Sequence, residues 1–131
     1  MNSPSKDMMN VLAGASLGLM VGSSLCRGAL QTGMDDLAVA VTDTGGYRAQ
    51  GNFIWRRPTI QVLVRGPRGD YDAGYAMALD CMNELHAIAD ETIAGARYIM
   101  VLASSDILFA GYDESHRPLF SVNFEIQRTT T

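Results

Sequence analysis

The chain has 131 residues, of which 47% are hydrophobic, and it carries a formal net charge of −4. This length and apolar content suit one domain with a modest core. Ten basic residues against 14 acidic ones, with Lys6 as the single lysine, exclude a free-standing nucleic-acid-binding protein, which would be basic and carry a clustered patch.

The first segment reads as a helix that begins with Ser3 as its cap and Pro4 at its first position. Residues 8–25 carry no charge, which is also typical of a signal peptide or a membrane span. Polar residues and glycines dilute this run, however, and Lys6 alone supplies a flanking charge. We therefore predict a packed N-terminal helix over residues 4–22 and no membrane association.

A strand over residues 37–43 is followed by a long connection, residues 44–58. Long connections in compact domains are often functional, and aromatic and arginine residues are enriched at interfaces. The stretch is interpreted either as an interaction arm or as a hairpin whose Phe53-Ile54-Trp55 begins the next strand early. A solvated loop explains its arginines about equally well. The candidate interface residues are Tyr47, Arg48, Phe53, Trp55, Arg56, Arg57, Arg65 and Arg68.

The central unit is a strand over residues 58–65 followed by a helix over residues 70–90. Alternation of apolar and polar residues predicts the strand, and Asp70 is a good N-cap for the helix. The apolar helix positions recur at steps of four and three, which predicts one buried stripe. Its members are Tyr71, Tyr75, Ala78, Met82, Leu85 and Ala89.

Three further strands complete the chain. Residues 97–103 are almost continuously apolar, which predicts a strand covered on both faces. Residues 119–127 alternate strictly, which predicts a strand with one buried face. Together the elements predict a single α+β domain, with a largely antiparallel or mixed sheet of about five strands. The N-terminal helix and one long central helix pack on that sheet, and the core spans residues 36–128.

The sharpest chemical motif is Asp43-Thr44-Gly45, which follows an apolar strand. Retroviral-type aspartic proteases use this tripeptide in homodimers, where two carboxylates share one proton. The same residues also form an ordinary polar turn, and the long central helix fits a β-rich protease poorly. The turn is the favoured interpretation. Neither Cys26 and Cys81 nor the two histidines have a metal-ligand spacing, so we predict no catalytic, cofactor-binding or metal-binding residues.

Five stretches occur in the order found in the bacteriophage tail terminator family, also labelled phage minor capsid proteins. They are TDTGGY (42–47), RPTIQVLVRG (57–66), DYDAGYA (70–76), RYIMVLA (97–103) and RPLFSVNFEIQR (117–128). The chain resembles this family over roughly residues 36–128.

The resemblance implies a structural virion protein and no enzyme or cofactor. It implies a six-membered ring of identical subunits on top of the tail tube, which stops tube growth. The expected partners are the tail tube protein and the head-completion, stopper or connector proteins, with DNA passing through the lumen. The implied location is the head–tail junction, or neck, of a virion assembled in the host cytoplasm.

Overall fold

Residues 1–48 and 55–130 are described by the structure, a computed structural model. They form an α+β domain in which two helices pack on a curled, mixed sheet of eight strands. The predicted fold class is confirmed, with more strands than the five expected. In chain order the elements are α1 (Pro4–Ala13), β1 (Leu25–Arg27), β2 (Ala38–Gly46), β3 (Trp55–Arg56), β4 (Pro58–Arg65), α2 (Tyr71–His86), β5 (Ala89–Ile93), β6 (Ala96–Ala103), β7 (Leu108–Tyr112) and β8 (Pro118–Thr130).

The long strand β8 is the centre of the sheet because it pairs with four other strands. It runs antiparallel to β4 and β3 along one edge, and to β6 and β7 along the other. The strand order is β1-β2-β4-β8-β6-β5, and β1 and β2 form a parallel pair. The alternation of apolar residues predicts which β8 side chains point inward, and the structure confirms it. These fully buried side chains are Phe120, Val122, Phe124 and Ile126.

The hydrophobic core lies between the sheet and the two helices. Helix α2 packs on β4, β6 and β8, and α1 packs on β1, β2, β4 and on α2. Both helices therefore lie on the same face of the sheet. Burial of large apolar side chains on this face supplies the main favourable term for folding. The largest of them include Met8, Leu12, Leu25, Ile60, Leu85, Tyr98 and Phe120.

Helix α1 begins where the sequence predicts but ends earlier. Ser3 is its N-cap and Pro4 its first residue. It ends at Ala13 rather than near residue 22, because Ser16 and Gly18 adopt positive φ angles of 59° and 79°. Left-handed residues cannot continue a right-handed helix. The length predicted for this helix from low charge and apolar content was therefore too great.

A buried polar network fastens α1 to the sheet. The Tyr98 hydroxyl donates a hydrogen bond to the carboxylate of Asp7, which is 1% exposed. Arg128 Nη1 donates to Tyr98 Oη at 3.1 Å and to the carbonyl oxygen of Asn2 at 2.9 Å. Burial, followed by the bond to Asp7, raises the pKa of Tyr98, so its phenol stays protonated. The network links the first turn of α1 to β6 and β8.

Helix α2 starts as predicted, because Asp70 Oδ1 accepts a hydrogen bond from the backbone N–H of Ala73 at 3.1 Å. It ends at His86 rather than near residue 90, and Ala89 opens β5 instead of lying on the helix. The buried face is also rotated from the predicted stripe, with which it shares Ala78 and Leu85. Its members are Gly74, Met77, Ala78, Cys81 and Leu85.

A close approach of α2 to Phe120 of β8 and to Gly66, the residue after β4, explains this rotation. A methyl group on Gly74 would lie 2.7 Å from Phe120 Cε2 and 3.1 Å from Gly66 Cα. Glycine at position 74 therefore brings the helix backbone against the sheet. The predicted burial of Tyr71 and Tyr75 is wrong, since their side chains are 42% and 39% exposed.

Two strands also differ from their predictions. Strand β2 does not end at Asp43 but continues to Gly46, with an irregular register between these two residues. Strand β6 buries one face, whereas Arg97 and Leu102 on its other face are exposed. The prediction that β6 is covered on both faces is therefore wrong, because both helices lie on one side of the sheet.

Candidate functional site

Three of the predicted interface residues form one cluster at the junction of β2, β3 and β4. The Arg57 guanidinium carbon lies 4.9 Å from the centre of the Tyr47 ring and 5.3 Å from that of Trp55. The backbone N–H of Tyr47 donates to the carbonyl oxygen of Arg57 at 3.0 Å, which holds the two segments together. We call Tyr47, Trp55 and Arg57 the aromatic–arginine cluster. Contacts between a guanidinium and aromatic faces are attractive because of the ring quadrupole.

The cluster is also tied to the central strand. The Tyr47 hydroxyl donates to Glu125 Oε1 of β8 at 2.5 Å, although 53% of the Tyr47 side chain is exposed. This hydrogen bond and the charge of Glu125 raise the pKa of Tyr47. Arg57 Nε is buried and has no hydrogen-bond partner among the described residues. The cluster therefore presents aromatic and cationic groups on a fixed support.

Two more predicted residues extend this surface. Arg48 follows the cluster residue Tyr47, Arg56 lies in β3, and both are exposed. Neither guanidinium has an ion-pair partner within residues 1–48 and 55–130. The prediction for Phe53 lies outside the described residues. We call Arg48, Arg56 and the aromatic–arginine cluster together the basic end of the subunit.

The last two predicted residues lie elsewhere. Arg65 closes β4, roughly 26 Å from Arg57 at the strand rise of about 3.3 Å per residue. Its Nη2 and Nε donate to the carbonyl oxygens of Asp35 and Asp36, at 2.7 Å and 3.1 Å. Arg65 is 7% exposed, and burial lowers its pKa from the ordinary value. Arg65 therefore acts within the subunit, while Arg68 is exposed in the turn before α2.

An exposed group of aromatic side chains near Arg68 was not predicted from the sequence. The Tyr71 and Phe109 rings lie 5.1 Å apart, and Phe109 lies 5.3 Å from Tyr112. Tyr75 and Tyr71 both pack edge-on against the buried Phe120. We call Tyr71, Tyr75, Phe109 and Tyr112 the aromatic patch. The pair of tyrosines four residues apart around Gly74 is a sequence signal that could have revealed it, since Gly74 marks the close-packed face.

Acidic residues adjoin the members of the aromatic patch along the chain. Arg117 in this region is neutralised by ion pairs to Asp113 at 2.8 Å and to Asp36 at 3.1 Å. Burial acts to raise the pKa of Asp113, but the hydrogen bonds and the charge of Arg117 outweigh burial and hold this pKa below its ordinary value. Three further exposed carboxylates lie within three positions of patch residues in the chain. These carboxylates belong to Asp72, Asp106 and Glu114.

Asp43 of the Asp-Thr-Gly motif has a partner within its own chain. Its two carboxylate oxygens accept hydrogen bonds from the backbone N–H and the hydroxyl of Ser5, at 2.9 Å and 2.7 Å. Asp43 therefore lies against the first turn of α1, where the helix dipole favours a negative charge. An aspartic protease instead needs this carboxylate to face that of a second chain. A pocket of about 360 Å³ opens beside it, lined by Ser5, Arg27, Gly28, Val41, Thr42 and Asp43.

The remaining candidates for chemistry are few. Over the described ranges, no three His, Cys, Asp or Glu side chains gather as they do around a metal ion. Cys26 and Cys81 are free thiols, and burial raises the pKa of Cys81 to about 12. No helix in the described part of the chain is both long and apolar enough to cross a membrane.

Comparison with known protein families distinguishes the tail terminator interpretation from that of an aspartic protease. A family model described as bacteriophage tail terminator protein matches residues 15–130. The chain belongs to the bacteriophage tail terminator family. No curated protein matches the chain. The family is a structural one whose members are tail components of the virion. The matched range holds all eight strands and α2, whereas α1 precedes it.

Proposed function

We propose that this protein is a tail terminator whose six copies close into a ring on the end of the phage tail tube. The ring stops tube polymerisation and offers its other face to the head-completion, stopper or connector proteins. In this proposal the protein resides at the neck of the virion and has no enzymatic activity. The single observation that carries the proposal is the family match over residues 15–130.

The surface chemistry of the subunit supports this proposal. A ring built from head-to-tail contacts needs two different surfaces on each subunit. The basic end and the aromatic patch are two such surfaces, and both combine aromatic with charged side chains. Aromatic and arginine residues carry most of the binding energy at many protein interfaces. The net charge of −4 per chain also suits a ring whose lumen repels passing DNA instead of retaining it.

No observation favours the alternative of an aspartic protease. Both carboxylate oxygens of Asp43 are occupied by Ser5. Asp43 pairs with Ile60 in the sheet and does not lie in a loop that could meet a second copy. We therefore assign Asp43 a structural role.

Complementation of a terminator-deficient phage tests the proposed function. Expression of this chain should restore tails of uniform length that are joined to heads, as measured by electron microscopy. A matched control is the same phage expressing a Gly74→Phe variant, which the contact with Phe120 prevents from folding. Tails of uncontrolled length despite normal expression of the parent chain would overturn the proposal.

A further inference from the structure

The basic end and the aromatic patch lie at opposite ends of β8. Arg128 and Thr129 of β8 pair with β3, which carries Arg56. At the other end Pro118 and Leu119 of β8 pair with β7, which carries two members of the aromatic patch. Leu119 and Arg128 are nine positions apart, which corresponds to roughly 30 Å at about 3.4 Å per residue. One rigid strand therefore sets the distance between the two surfaces.

The two surfaces have complementary chemistry. Arg48 and Arg56 offer guanidinium groups that have no ion pair within the described residues. The aromatic patch offers ring faces, and the exposed carboxylates of Asp72, Asp106 and Glu114 lie within three positions of its members in the chain. Guanidinium groups bind carboxylates through paired hydrogen bonds and also stack on aromatic faces. The patch thus provides both kinds of partner that arginine prefers.

The strand beside the aromatic patch also has an open edge. Strand β7 pairs with β8 along one side, and no other strand in the described part of the chain pairs with it. Phe109 and Tyr112 of β7 are 39% and 47% exposed, and Leu108 is 59% exposed. Large apolar side chains along an open edge are typical of a surface that another protein covers.

We propose that the basic end of one copy binds the aromatic patch of the next copy, so that subunits join head to tail. This inference rests on the proposed function and assigns the two surfaces that would close the ring. Charge complementarity selects a second copy as the occupant, because both surfaces belong to the same chain. A two-fold dimer through either surface would bring like charges together, which disfavours it. A head-to-tail contact avoids this repulsion and forms a ring when its rotation closes.

Two double variants test the contact, and each alters only one of the two surfaces. The first, Arg48→Ala with Arg56→Ala, removes the cations of the basic end and keeps the aromatic patch. The second, Asp72→Arg with Glu114→Arg, reverses charge beside the patch and keeps the basic end. All four side chains are exposed, so circular dichroism should match that of the parent. Thermal unfolding should match for the first variant and shift down by a few degrees for the second, because Asp72 lies in the first turn of α2, where the helix dipole favours a negative charge. Asp80→Arg with Glu91→Arg is the matched control, since these exposed carboxylates lie outside both surfaces.

Mixing the two variants gives a distinctive result. Each variant alone should lose the ring and appear as single chains in native mass spectrometry. An equimolar mixture should give a one-to-one heterodimer, because one intact basic end then meets one intact patch while the other contact stays broken. The control variant should retain the ring. The measurement uses rings formed in solution or released from capped tail tubes.

The outcomes separate this inference from the proposed function. If the parent and both variants form rings, the assigned surfaces are wrong while the terminator function stands. Variants that keep the ring but no longer cap tubes would show that these surfaces face the tube or the head proteins instead, which also overturns the inference. A parent that neither forms a ring nor caps tubes overturns the proposed function itself.

Discussion

Asp43 receives two hydrogen bonds from Ser5, a residue 38 positions earlier in the chain. This contact joins the second half of β2 to the first turn of α1. It gives the Asp-Thr-Gly motif a structural explanation, because a carboxylate beside a helix N-terminus is stabilised by the exposed backbone N–H groups.

We predict that Asp43→Asn folds and assembles with a small loss of stability. The amide oxygen can still accept one bond from Ser5, but the negative charge beside the helix is lost. The free energy of unfolding should fall by about 1 kcal/mol or less, as measured by urea denaturation. Asp80→Asn, on the exposed face of α2, is the matched control and should change little. Proteolytic activity in the parent that disappears in Asp43→Asn would contradict the structural assignment.

We predict that Gly74→Ala destabilises the protein although alanine favours helices. The added methyl group would lie 2.7 Å from Phe120 Cε2, so α2 must move away from the sheet. Overpacking of this kind costs about 1–3 kcal/mol and helix propensity returns about 1 kcal/mol, so the free energy of unfolding should fall by up to about 2 kcal/mol. Gly14→Ala is the control, because its nearest neighbour would be the carbonyl oxygen of Asn10 at 3.6 Å, an ordinary contact. Equal melting temperatures for the two variants would show that the close packing is absent.

The pKa of Cys81 predicts how stability changes at high pH. Burial, and secondarily the charges of Asp80 and Glu84, raise this pKa to about 12. Because the pKa is higher in the folded state, the stabilisation is complete below the unfolded value of about 9 and is lost as pH rises toward 12. Above pH 9 the parent should therefore lose about 1.4 kcal/mol per pH unit more than Cys81→Ala does.

Urea denaturation of both proteins between pH 7 and pH 10.5 measures this difference. Other groups that titrate in this range, including Tyr98, are shared and cancel in the comparison. Cys26→Ala is the control, because that thiol is only partly buried. Parallel stability curves for the parent and Cys81→Ala would contradict the prediction.

The exposed arginines of the basic end are predicted to act in assembly and not in folding. Arg48→Ala with Arg56→Ala should leave the melting temperature within a few degrees of the parent, since exposed side chains contribute little to stability. The same variant should leave tails of uncontrolled length in the complemented phage. Lys6→Ala with Arg27→Ala removes the same number of exposed cations outside both surfaces and should support normal tails. Normal tails with both variants would exclude the basic end as an assembly surface.

Features that depend on local sequence were predictable here. The alternation in β8, the Asp70 cap and the strand–helix unit of β4 and α2 all follow from the period and the capping chemistry of neighbouring residues. The large distance between Arg57 and Arg65 could also be predicted from the sequence, because a strand of eight residues must hold its ends more than 20 Å apart.

Features that depend on distant contacts were not predictable. The rotation of α2 follows from the packing of Gly74 on Gly66, and no property of the helix alone reveals that contact. The pairing of Tyr71 and Tyr75 with β7 in the aromatic patch depends on the tertiary fold, and periodicity placed both tyrosines on the buried stripe although Gly74 between them hinted at the close-packed face. The role of Asp43 likewise depends on Ser5, which reaches it only through the tertiary fold.

The most direct test of the central claim is the symmetry of the assembly that the purified chain forms, alone and with tail tubes present. Negative-stain electron microscopy with class averaging measures it. A closed ring with six-fold symmetry at the tube end is the expected result. A strict two-fold dimer under both conditions would contradict it.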